Sequence, residues 1–450
     1  MADSYDLVIR GGEALTPSGR LATDIGVRAG RIAAIGDLRT AAAAEAFDAA
    51  GLVVLPGVID TQVHFREPGL KHKEDLESGT RAAVLGGVTA VFEMPNTRPS
   101  TTDAAALADK VARAQGRAWC DIAFFMGASP ENADELATLE RVPGCCGVKM
   151  FMGSSTGTLL VSEDADIRRV LASGSRRIAV HSEDEARLEE RRGIARDATG
   201  PHAHAEWRDA ETALRSTRRL LALARAANRP VHVLHVTTAD EMPVFAANKD
   251  IATVEVTPQH LTLAAPEAYD RLGTLAQMNP PIRDEAHRAA LWQGLADGIV
   301  DVIGSDHAPH SLEEKASPYP DSPSGMPGVQ TLVPLLLDHV NAGRLSLERF
   351  VDLTSAGPQR IYDIAGKGRL AVGYDADFTV VDLKARRTIE NSWIASKCGW
   401  TPFDGMRVTG WPRATIVRGV VAMREDEVAE TPSGEIVRFI ASGAPRAGIA

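Results

Sequence analysis

Val53-Val54-Leu55-Pro56-Gly57-Val58-Ile59-Asp60-Thr61-Gln62-Val63-His64 runs from apolar, β-branched residues into carboxylate, amide and imidazole side chains within twelve positions. Val53 to Thr61 reads as a buried strand, and a histidine stands just beyond it. The arrangement recurs downstream. Strand candidates follow at Thr89 to Met94, Ile122 to Gly127, Val148 to Phe151, Ile178 to His181, Val231 to Val236, Thr253 to Thr257 and Val300 to Asp306, separated by longer stretches rich in Ala, Leu, Arg and Glu. Strands alternating with helices predict a parallel sheet, and eight of them predict a closed α/β (β/α)8 (TIM) barrel.

Outward from this centre the pattern changes. Leu7-Val8-Ile9, Ile25-Gly26-Val27 and Ile32-Ala33-Ala34-Ile35 are short apolar runs punctuated by glycine, and similar runs return in Phe378-Thr379-Val380-Val381 and Ala414-Thr415-Ile416-Val417. The two chain ends are therefore expected to pair into one small β-sandwich domain. This divides the chain into an N-terminal part of that domain over 1–55, a barrel over 56–368, and the C-terminal part with a tail over 369–450. The Pro/Ser-rich segment Ser317 to Pro327 is expected to be a loop over a site.

Bulk composition excludes several classes of function. With 44% hydrophobic and 24% charged residues over 450 positions, the chain can bury one dominant core and a satellite. A formal net charge of −11, without Lys/Arg-rich runs, argues against nucleic acid or an anionic membrane as partner and leaves a small molecule as the expected ligand. The four cysteines, Cys120, Cys145, Cys146 and Cys398, lack the spacing of a thiolate metal site and are read as reduced. No apolar stretch approaches membrane length and Met1 to Arg10 does not resemble a signal peptide, so a cytoplasmic location is expected.

In a (β/α)8 barrel the C-terminal strand ends form the active face. His64 follows the first strand, Lys149 lies in the fourth, His181 ends the fifth, His235 lies in the sixth and Asp306 ends the eighth. A single histidine at a strand end is usually a hydrogen-bonded packing residue. Three histidines, a carboxylate and a buried lysine at one barrel mouth would leave costly unsatisfied polar groups unless a cation engaged them.

These residues sit in recognisable motifs. Asp60-Thr61-Gln62-Val63-His64-Phe65-Arg66-Glu67-Pro68-Gly69 resembles the opening signature of dihydroorotases in the amidohydrolase superfamily. The resemblance extends through Glu93-Met94-Pro95-Asn96-Thr97, Gly147-Val148-Lys149-Met150-Phe151, Val180-His181-Ser182-Glu183, Leu234-His235-Val236, Asn279-Pro280-Pro281 and Ser305-Asp306-His307-Ala308-Pro309-His310. It implies a binuclear site, usually zinc, bridged by Lys149 after the lysine has combined with carbon dioxide to form a carbamate. His64 would then serve the first ion, and His181 and His235 the second. Asp306 would be both ligand and catalytic proton carrier. The resemblance also implies substrate contacts from Arg66, Asn96 and His310 to a carboxylate and from Asn279 to the ring amide, and a homodimer or larger homo-oligomer. Arg66 suits a carboxylate through its planar, two-pronged geometry.

One position departs from the family. Its usual His-x-His pair at the first strand is Gln62-Val63-His64 here, and an amide oxygen is a weaker donor to zinc than an imidazole. His72, in the loop just downstream, is a candidate compensating ligand. The resulting expectation is a dihydroorotase. The alternatives are another cyclic amidase, such as an allantoinase, a hydantoinase or a dihydropyrimidinase, and a catalytically weak relative acting as structural partner of aspartate transcarbamoylase. Retention of Lys149, His181, His235 and Asp306 speaks against the last.

Overall fold

Gly57 is where the chain leaves one sheet for another. A Cβ at this position would stand 2.3 Å from Thr89 Oγ1 and 2.7 Å from the Cβ of Asp377, so only glycine passes through the junction. The expected single strand from Val53 to Thr61 is therefore two in the computed structural model, which describes residues 4–155 and 158–440. The last ten residues of the expected C-terminal tail, and residues 1–3, lie outside the described residues.

Before the junction come β1 (Tyr5–Thr16), β2 (Gly19–Arg28), β3 (Arg31–Gly36), β4 (Ala43–Asp48) and β5 (Val53–Pro56). After it come the barrel strands β6 (Val58–Val63), β7 (Val88–Glu93), β8 (Asp121–Gly127), β9 (Cys145–Phe151), β10 (Ile178–His181), β11 (Val231–Val233), β12 (Ala252–Val256) and β13 (Val302–Ile303). Then follow β14 (Phe378–Thr388), β15 (Arg407–Val417), β16 (Val420–Arg424) and β17 (Glu427–Val428). The chain ends do combine. β5 pairs antiparallel with β14 and parallel with β1, and the strands from both chain ends form one nine-stranded mixed sheet, the expected small β domain. Leu7, Ile25, Phe47 and Val54 from one end share an apolar cluster with Phe378, Val380, Ala414 and Ile416 from the other.

Strands β6 to β13 are parallel and neighbour each other in chain order, and a bridge from Val63 to His307 brings the first against the segment after the last. The helix layer is amphipathic. Ala210–Ala226, for example, starts where the Asp209 side chain accepts from Thr212 N, and buries Leu214, Leu220, Leu221 and Ala224. The largest apolar cluster joins strand residues such as Val91, Ile122, Val148, Ile178 and Val254 to helix residues such as Leu107, Leu220 and Leu336. A second cluster holds Ile59, Ala90, Phe92, Ala123, Phe125 and Ala179, with Tyr362 edge-on to Phe92 and Phe125.

Two expected strands stop early. β11 ends at Val233 although the apolar pattern runs to Val236, and β13 has two residues where seven were expected. The cause is local: His235 and Asp306 have φ of 38° and 44°, outside the extended range of a strand.

Candidate active site

Three residues singled out from the sequence, Arg66 (φ 61°), His235 and Asp306, are non-glycine residues in the left-handed region. Each costs conformational energy that a strand continuing normally would avoid, and such residues cluster where a side chain must be aimed. Lys149 and His181 are delivered by regular strand instead. Lys149 pairs in register with Ala179 on β10, and His181 with Phe151 on β9.

These elements bring Gln62, His64, Lys149, His181, His235 and Asp306 to the wall of one cleft. On one side, Asp306 Oδ1 lies 3.2 Å from His64 Nε2 and accepts from Gln62 Nε2 at 3.0 Å. His64 Nδ1 is held by Asn96 Oδ1 at 2.8 Å. On the other side, His181 Nδ1 and His235 Nε2 stand 3.1 Å apart. Burial is the main cause that lowers the pKa of His64, His181 and His235, so each imidazole is favoured in the neutral form a metal ligand requires.

Lys149 is 1% exposed, with its ammonium position 4.5 Å from the Phe151 ring centroid. Burial brings its pKa down to about 7, against the opposing charges of Asp306 and Glu255. Among the described residues, no group of three or more His, Cys, Asp or Glu side chains could hold an ion by itself. The donors come as two pairs, His64 with Asp306 and His181 with His235, and Lys149 shares their cleft. As an amine it completes neither set; as a carbamate it would add an anionic oxygen to each. Gln62 Oε1 and His235 Nδ1 are buried without a hydrogen-bond partner, which is costly in a site meant to stay empty. The residues present thus fit a pair of divalent cations with a modified Lys149.

The free volume in the cleft is about 20 Å³, room for a water-sized group. Ser155, Asn279 and Ser324 separate it from a wider cavity of about 330 Å³ that Arg192, Trp207, Pro320 and Asp321 also line. The expected loop Ser317 to Pro327 supplies much of this wall, anchored by Lys315 Nζ on Pro323 O and by Gln277 Nε2 on Ser322 O, both at 2.8 Å. Asn279 faces both spaces, its Oδ1 2.9 Å from His204 Nε2.

Arg66, Asn96 and His310 do not line the cleft. Asn96 contacts His64, which does line it. Arg66 is buried, donates to Pro309 O at 3.2 Å and lies 3.2 Å from His310 Nε2. Because Lys73 Nζ donates to His310 Nδ1 at 3.0 Å, Nε2 of that ring carries the proton and donates to Ser324 O at 3.0 Å. His72 stands apart. Its side chain is 60% exposed and its Nε2 is 3.4 Å from Glu314 Oε1, so the structure does not bring it to the cleft as a compensating ligand. It belongs to a solvated loop, where a contact with Glu314 Oε1 satisfies it. Sequence reasoning passed over Glu183 and Arg208, which back His181, and Phe151, Ser155, Ser324 and Gly325 of the cleft wall. Glu183 and Phe151 were legible as parts of the His181 and Lys149 motifs, and Ser324 and Gly325 lie in the segment expected to form a loop over a site; Arg208 and Ser155 have no sequence signal, since only the fold brings them there.

The amidohydrolase family model matches residues 53–422, which include every one of these strand ends. The chain belongs to the amidohydrolase family. Among curated amidohydrolase relatives, it is 38% identical over 421 residues to dihydroorotase of Halobacterium salinarum, covering 93% of this chain and 97% of that one. It is 37% identical over 413 residues to dihydroorotase of Methanothermobacter thermautotrophicus, covering 91% and 93%. Among solved structures, L-hydantoinase (dihydropyrimidinase) from Arthrobacter aurescens superposes with a TM-score of 0.91 at 30% identity over 96% of this chain and 99% of that one. Dihydropyrimidinase from Brevibacillus agri superposes at 0.87 and 28% identity, covering 95% and 97%. The four cysteines of this amidohydrolase are buried and unpaired, and no described helix is long and apolar enough to cross a membrane.

Proposed function

We propose that this protein is a dihydroorotase, hydrolysing the cyclic amide of L-dihydroorotate reversibly to N-carbamoyl-L-aspartate. The observation that carries the reading is the meeting of His64, Lys149, His181, His235 and Asp306 in one cleft at the barrel mouth. Relatives named dihydroorotase over nearly the whole chain support it further.

His64 and Asp306 would hold one zinc ion and His181 and His235 the other, with the Lys149 carbamate common to both and Gln62 Oε1 as a weak additional donor. Zinc bound there would supply Lewis-acid polarisation of the ring carbonyl and a water acidic enough to ionise near neutral pH. The neutral amine of Lys149 is the form that adds carbon dioxide, releasing a proton as the carbamate forms. Asp306 takes the proton of the attacking water and returns it to the ring nitrogen as the C–N bond breaks. Gln62 Nε2, donating to Asp306 Oδ1, orients that carboxylate. Arg66, buried behind the cleft lining with His310 3.2 Å from it, would supply the charged fork once substrate extends a carboxylate past His64, which Asn96 holds, and Asn279 would address the ring amide. A neutral ring, such as that of a hydantoin, would leave Arg66 without an anionic partner. The testing experiment is steady-state hydrolysis of dihydroorotate, allantoin and dihydrouracil by zinc-supplemented protein, with metal content measured on the same sample. Preference for dihydroorotate is expected; preference for a neutral ring overturns the assignment.

A further inference from the structure

His181 is fixed from behind. Its Nε2 lies 2.8 Å from Glu183 Oε2, while its Nδ1 faces His235 and the cleft. Glu183 is fully buried, as is Arg208, whose Nε donates to Glu183 Oε1 and Oε2 at 3.1 and 3.2 Å and whose Nη2 donates to Oε2. The same Nη2 donates to Ser154 O at 2.6 Å, next to Ser155 of the cleft wall. Arg208 is itself pinned where Arg283 Nη1 donates to its carbonyl. Gly153 permits this arrangement, since a Cβ there would stand 2.6 Å from Glu183 O.

We infer that Glu183 and Arg208 are positioning residues for the metal site built on His181 and His235. A carboxylate can only accept, so Glu183 obliges His181 to carry its proton on Nε2 and leaves the Nδ1 lone pair directed into the cleft. Arg208 can only donate, and its Nε and Nη2 engage both oxygens of Glu183, which holds the carboxylate in this orientation. The chain Arg208, Glu183, His181 thus selects both tautomer and ring angle before any ion arrives, the outer-shell arrangement that raises ligand basicity and affinity. The inference rests on the metal centre proposed above.

Glu183→Gln tests it, because the amide should turn its oxygen to Arg208 and its NH2 to His181 Nε2, reversing the tautomer. In metal-free protein labelled with ¹⁵N-histidine, with His181 assigned by its loss in His181→Gln, wild type should show the Nε2-protonated form and Glu183→Gln the Nδ1-protonated one. In chelator competition, zinc affinity of the tighter site should fall about 10- to 100-fold, whereas Glu183→Asp, which keeps an acceptor, should retain the tautomer and most of the affinity. If Glu183→Gln does not fold, Arg208→Gln is measured in the same way, with about a tenfold loss expected. An unchanged tautomer and affinity in the variant that folds overturns the inference. Wild-type protein that binds no zinc would instead overturn the metal-centre reading, and leaves the tautomer measurement to decide the role of Glu183 by itself.

Discussion

Gln62 Nε2 donates to Asp306 Oδ1 at 3.0 Å, and the same amide leaves its Oε1 buried without a partner. The residue that replaces an expected imidazole has therefore taken up a hydrogen bond to the Asp306 carboxylate while offering one weak oxygen to the cleft. Zinc titration into metal-free protein should reveal a tight site on His181 and His235 and a looser one on His64 and Asp306. Gln62→His should tighten the looser site. Because His72 is exposed and paired with Glu314, His72→Ala should leave both affinities unchanged.

Lys149→Ala should abolish hydrolysis and reduce bound zinc, since in the proposed centre both donor pairs depend on the shared anionic oxygen of its carbamate. Adding a short carboxylic acid should restore part of the activity. Wild-type turnover and metal content in this variant would exclude a bridging role.

Arg66→Lys keeps the charge and loses the planar fork. If the fork binds the substrate carboxylate, kcat/KM for dihydroorotate should fall roughly 10- to 150-fold, equivalent to about 1.5–3 kcal/mol, the scale of a hydrogen bond to a charged group. The comparison to make is with dihydrouracil, which lacks the carboxylate and should be affected much less.

Gly325 lines the cleft at φ 138°, and a Cβ there would stand 2.5 Å from Ala308 O. Gly325→Ala should destabilise the protein by about 1–3 kcal/mol through strained backbone, and should raise KM by displacing the wall at Ser324. Thermal unfolding and steady-state kinetics measure the two effects separately.

His339, on the helix Leu332–Asn341, accepts from or donates to Thr262 Oγ1 at 3.0 Å and packs edge-on against Trp292. Burial, aided by Arg344 and Arg288, lowers its pKa to about 4. The unfolded chain, titrating near 6.5, binds more protons than the fold between these values, so stability rises with pH across that window and is lost as pH falls from about 6.5 towards 4. His339→Gln, which retains a hydrogen-bonding side chain, should show a smaller loss of stability over this range than wild type in denaturant melts at matched pH.

The sequence by itself determined the architecture and the chemistry of the donor set. Alternating apolar strands and helical stretches require layers that bury both faces of a parallel sheet, and side chains of metal-ligand type at strand ends, such as His181, need no tertiary knowledge to be noticed. Tertiary structure alone decided where the strands end and which donors meet. Periodicity reports burial, so the run from Val53 to Thr61 reads as continuous although Gly57 splits it between two sheets. It also carries β11 past the left-handed turn at His235 that aims the imidazole. His72 and Glu183 show the same limit for the site: both are polar residues near a ligand motif, and one faces solvent while the other locks a ring. The difference lies in which side chains from distant positions, Glu314 in one case and Arg208 in the other, the fold places against them. Hydrogen bonds act over about 3 Å, and separations at that scale are set by packing between elements far apart in sequence.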